Sequence, residues 1–99
     1  MTLEWDVLST VQPSTQVTAM QIALSLYRKI YRTAGRMPTK DRTEFVRRRL
    51  RSEYDKYRHE TDPERIEFLI KVADTQLDTL EIQVEHFDRV FSSPHYHNQ

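Results

Sequence analysis

The chain has 99 residues, enough for one domain of ordinary size. Only 37% of them are hydrophobic and 30% are charged, so the core must be thin, and no apolar run approaches the ~20 residues that span a bilayer. Fifteen basic and fifteen acidic residues cancel, and the absence of cysteine excludes a disulfide framework and thiolate chemistry.

Residues 1–16 read as a docking arm. Leu3, Trp5, Val7, Leu8 and Val11 are apolar but precede Pro13. Glu4 and Asp6 make the segment a poor match to a cleavable mitochondrial presequence, which is Arg-rich and acid-poor. The arm is expected to fold against a partner or against the rest of the chain.

A first helix is predicted from about Val17 to Ala34. Met20, Ala23/Leu24, Tyr27, Ile30/Tyr31 and Ala34 recur at three- and four-residue spacing, and Ile22 and Leu26 widen the stripe. Thr15 or Thr18 is the expected cap. Gly35 falls where a left-handed residue would end the helix, and Pro38 prevents continuation.

A second helix is expected over roughly Lys40 to His59. Val46, Leu50, Tyr54 and Tyr57 form its apolar stripe, flanked by Phe45, while most of the arginines among residues 47–51 must face solvent or a partner.

The third helix has the clearest signal. Thr61-Asp62-Pro63-Glu64 supplies a cap, a proline at the first helical position and an early acid. Ile66, Ile70, Ala73, Leu77, Leu80, Val84, Phe87 and Phe91 then follow at alternating spacings of four and three, a sustained 3.5-residue repeat. From Pro63 to Phe91 such a helix reaches ~43 Å, so its far end is expected to overhang its neighbours. Residues 17–91 therefore form an all-α, three-helix unit with a long third helix. Residues 92–99 read as a flexible tail, in which a metal role for His95 and His97 yields to a polar terminus.

Charge is segregated along this plan. Residues 19–59 carry a net +8 and residues 60–99 a net −6. Part of the contrast can be met internally, with the second helix facing the third, and the remainder projects a field that steers acidic partners. No catalytic constellation emerges. No serine sits in a nucleophile setting, no glycine loop cradles phosphate, and the third helix's carboxylates read as its solvated side. An enzyme is not expected.

Several of these residues carry a family resemblance. Ala23-Leu24-Ser25-Leu26-Tyr27-Arg28 in the first helix, Arg48-Arg49-Leu50-Arg51 with Tyr54 in the second, and Asp62-Pro63-Glu64-Arg65-Ile66 entering the third resemble the LYR-motif family of small mitochondrial proteins. The resemblance implies an antiparallel three-helix bundle that binds mitochondrial acyl carrier protein. The carrier's acylated 4′-phosphopantetheine arm would enter a tunnel between the helices, and the chain would need no cofactor of its own. It implies that Tyr27 and Arg28 lie near the arm's entry. Arg47, Arg48, Arg49 and Arg51 would meet the carrier's acidic helix and phosphate. Leu24, Leu26, Ile30, Leu50, Tyr54, Ile70, Ala73 and Leu77 would line the tunnel. Family members usually hold phenylalanine where Tyr54 stands, and a tyrosine hydroxyl at a tunnel wall needs a partner.

The expected function is that of a non-enzymatic adaptor or assembly factor in the mitochondrial matrix or at the matrix face of the inner membrane. It would serve a larger client, such as a respiratory complex, the iron–sulfur cluster machinery or the mitochondrial ribosome. The alternative is a small RNA-associated basic module in ribonucleoprotein assembly, binding phosphate through Arg47–Arg51. In the adaptor reading, nucleic acid is met only indirectly. A third possibility is self-pairing through the overhanging end of the third helix.

Overall fold

The computed structural model describes residues 13–92, which form three helices and no strand. These are α1 (Pro13–Ala34), α2 (Lys40–Lys56) and α3 (Pro63–Ser92). Residues 1–12 of the arm, and residues 93–99 with their histidines, lie outside the described residues. No described helix is long and apolar enough to cross a membrane.

α1 begins four residues earlier than periodicity suggests. A proline suits the first turn of a helix, where an N–H would have no partner, so Pro13 opens α1 and Thr15 and Thr18 lie inside it. The end of α1 also differs from expectation: Gly35 has no positive φ. The chain instead unwinds through successive three-residue turns, with the amides of Gly35, Arg36 and Met37 donating to the carbonyls of Arg32, Thr33 and Ala34. Two side chains of α2 complete the stop. The Thr43 hydroxyl donates to the Ala34 carbonyl at 2.8 Å, and Arg47 Nε donates to the Tyr31 carbonyl at 3.0 Å. The carbonyls left over at a helix end are thereby met across the interface, and a guanidinium at that end also suits the helix dipole.

α2 is capped by Thr39, whose Oγ1 accepts from the Arg42 amide at 3.2 Å. It ends at Lys56, short of His59, because Tyr57 leaves helical geometry at φ −111° and ψ 14°. Asp62 starts α3: its carboxylate accepts from the Glu64 amide at 3.1 Å and its carbonyl from the Ile66 amide at 2.9 Å. Pro63 and Glu64 take the places the sequence gives them.

The core is small. Leu26, Ile30 and Ala34 of α1, Leu50 of α2, and Ala73, Leu77, Leu80 and Val84 of α3 are buried. Leu26 is thus central rather than marginal, whereas Ile22 is 44% exposed. α1 packs against both other helices, while α2 and α3 make no close backbone approach to each other. The expected pairing of basic α2 with acidic α3 is accordingly not found: among the described residues, Arg36–Asp88 at 3.0 Å is the one ion pair. That pair, and the Arg42 guanidinium 5.1 Å from the Phe87 ring centre, tie α3 to the α1–α2 junction. The overhang of α3 is therefore only about one turn beyond Asp88.

Candidate functional site

Where α2 and α3 diverge, a cavity of about 280 Å³ opens between all three helices. It approaches the lower end of the ~300–1,000 Å³ range of ligand sites. The walls are mainly apolar. Met20 and Leu24 come from α1, Tyr54 from α2, and Leu69, Ile70 and Val72 from α3. Ala19, Ala23 and Ala73 also face it, and these small side chains leave the space that leucines fill elsewhere in the core. Glu53, Asp55, Arg58 and Glu60 stand at the rim.

Tyr54 forms one wall. Its ring meets Tyr27 edge-on at 4.9 Å, and Tyr27 stacks on Tyr31 at 6.2 Å. The Tyr54 hydroxyl donates to the Ala23 carbonyl at 2.7 Å, which supplies the partner that a phenol at an apolar wall requires. Burial, and secondarily the neighbouring Tyr27 phenol, push its pKa from 10.0 up to about 12. The group is a neutral donor across the physiological range.

The arginines separate into two sets. Arg47 is half-buried, with its guanidinium carbon 4.0 Å from the Tyr31 ring centre and its Nε on the Tyr31 carbonyl. Gly35 makes room for it, since a Cβ there would lie 2.8 Å from Arg47 Nη2. Arg28, Arg48, Arg49 and Arg51 are exposed and form no ion pair among the described residues. Their charge is available to a partner.

The model of the family described as Complex 1 protein (LYR family) matches residues 21–79, more than half of the chain. The chain belongs to the LYR family. Its members are known as small mitochondrial adaptor and assembly proteins and are generally not enzymes. The matched span includes Tyr27, Arg28, the Arg47–Arg51 run and every cavity residue except Ala19 and Met20. No curated protein and no solved structure gives a significant match.

Of the eight residues expected along a tunnel, Leu24, Tyr54, Ile70 and Ala73 line the cavity. Leu26, Ile30, Leu50 and Leu77 belong to the closed core beside it. Sequence reasoning missed Leu69 and Val72, which lie off the 3.5-residue stripe, and the contribution of Ala19. The readable signal was the coincidence of small residues on α1 with extra aliphatics in the first turns of α3.

Proposed function

We propose that the protein is a non-enzymatic mitochondrial adaptor that holds acyl carrier protein through its acylated 4′-phosphopantetheine arm and presents it to a larger client. The observation that carries this reading is the apolar cavity lying where two of three helices fail to meet, in a chain whose exposed Arg28, Arg48, Arg49 and Arg51 form no ion pair among the described residues. A bundle with that gap gains from an inserted alkyl chain, at ~0.8 kcal/mol per buried methylene. A free fatty acid would bring its carboxylate to a rim on which Glu53, Asp55 and Glu60 outnumber Arg58. A thioester-linked chain brings no such charge.

Arg28, Arg48, Arg49 and Arg51 would engage the carrier's carboxylates and phosphate by charge-assisted hydrogen bonds, which also speed encounter. Arg47 serves the α1–α2 junction in this reading, and Tyr27 backs the cavity wall. An antiparallel order of helices supports the same picture. Thr43, Arg47 and Tyr54 meet Ala34, Tyr31 and Ala23 in turn, so α2 runs back along α1. The client would be met by α3 and the two ends of the chain.

Co-expression with acyl carrier protein tests the proposal. The pair is expected to co-purify when the carrier bears an acylated arm and to separate when the arm is absent. Arg28→Ala, or Arg48→Glu with Arg51→Glu, should weaken it at least about tenfold. Carrier-independent binding to RNA, falling steeply with salt, would replace the adaptor reading with the ribonucleoprotein one.

A further inference from the structure

α3 carries three parallel stripes, each at alternating four- and three-residue spacing. The first is the core stripe from Ile66 to Phe91. The second is charged at every position: Glu67, Asp74, Asp78, Glu81, Glu85 and Asp88, interrupted only by Lys71. The third is Phe68, Thr75, Thr79, Ile82 and His86, none of them Asp, Glu, Lys or Arg, while Val72 in the same register borders the cavity. At 3.6 residues per turn it lies roughly opposite the core stripe, on the back of the helix.

A helix back turned only to water ordinarily carries the charges. Between Phe68 and His86 the charges all lie on one flank, so the back is free of Asp, Glu, Lys and Arg for ~27 Å, with Arg65 and Arg89 next in the same register at its two ends. Phe68 is 56% exposed and Ile82 66% exposed, near its two ends. Thr75 and Thr79 between them are small enough for another backbone to approach closely. A single exposed isoleucine needs no explanation. Phe68 and Ile82 together do, because they stand two heptads apart on that back, a spacing at which one packed helical partner could meet both.

We propose that the back of α3 is a docking seam for one helix of another protein, apolar at heptad spacing and bearing Lys or Arg along one flank. The flank is specified by the charged stripe, which would lie beside the partner's basic positions. A second copy of the chain does not supply that complement. Laid antiparallel, its acidic stripe would meet its twin. Laid parallel, the stripe would meet the uncharged flank of Gln76 and Gln83. The seam sharpens the client half of the proposed function and does not depend on the carrier half.

The test uses the whole chain and a labelled synthetic helix of about three heptads, leucine at its seam and lysine on one flank. A twin peptide carries glutamate instead. Fluorescence anisotropy should show saturable binding of the lysine peptide and at least about tenfold weaker binding of the twin. Phe68→Glu and Ile82→Glu should weaken the lysine peptide although each adds a negative charge, and Asp78→Lys with Glu85→Lys should invert the preference. Ile82→Gln keeps the readout if Ile82→Glu alters the melting curve. Absent binding overturns the proposal, and so does binding that Ile82→Glu strengthens, since charge alone would then explain it. A dimer of the chain that Ile82→Glu dissociates also overturns it, assigning the seam to a second copy. Acyl carrier protein should still co-purify with these variants, so the seam and the carrier site fail separately.

Discussion

Tyr54 shows how one side chain can belong both to the fold and to the site. Its ring closes a cavity wall while its hydroxyl holds the Ala23 carbonyl across the α1–α2 interface. Tyr54→Phe removes that bond without changing the ring, and should cost about 1 kcal/mol in urea denaturation at neutral pH. The elevated pKa sets a second signature. Between pH 10 and about 12 the unfolded phenol loses its proton while the folded one keeps it, so unfolding releases a proton and stability falls as pH rises. The wild type should lose stability across that window more steeply than Tyr54→Phe. Equal slopes would mean that the phenol is not desolvated. The need for a partner was legible in the sequence, because a hydroxyl on an apolar stripe cannot stay unsatisfied. Which carbonyl answers it was not, since Ala23 lies 31 residues away.

At the scale of elements, the junction of α1 and α2 is where local reading failed for a physical reason. A lone glycine after an apolar stripe suggests a left-handed cap, but the stop is made by Thr43 and Arg47 from the following helix. Gly35 serves closeness rather than φ, because a Cβ there would press on the Arg47 guanidinium, which the Tyr31 carbonyl and ring hold in place, and on the Arg32 carbonyl at 3.2 Å. Gly35→Ala should therefore destabilise the wild type by about 1 kcal/mol, and by less in an Arg47→Ala background, where the contact with the Arg32 carbonyl at 3.2 Å and the unfolded-state effect of the methyl remain. Thermal denaturation of the four proteins measures the coupling. Additive effects would place the clash elsewhere. The element boundaries that rest on caps within a few residues, Thr39 for α2 and Asp62-Pro63 for α3, were readable in advance because those interactions are local. The sharing of α1's last carbonyls with α2 is tertiary and leaves no local trace.

At the scale of the molecule, α1 is the element on which both other helices pack, and its two faces explain its broad stripe. Tyr27 and Tyr31 turn toward α2, while Leu26 and Ile30 join the core shared with α3. Periodicity located three helices and the side of α3 that is buried. It could not distinguish a residue lining a cavity from one filling a core, because both are apolar at the same spacing. Leu24 and Leu26 make the point: two positions apart, one borders the cavity and the other is buried in the core. The difference depends on how far α2 and α3 diverge, which the alanines facing the cavity help to set.

That divergence leads to the most direct measurement. Isothermal titration of the protein with acyl carrier protein loaded with a series of saturated chains should give an affinity that climbs with length, by up to ~0.8 kcal/mol per methylene, until the cavity is full. Ala73→Phe, which adds bulk at the cavity wall, should flatten the series while leaving the contribution of Arg28, Arg48 and Arg51 in place. An affinity independent of acyl length in the wild type would contradict the account, since the carrier would then be held by charge alone and the space between the helices would have another use.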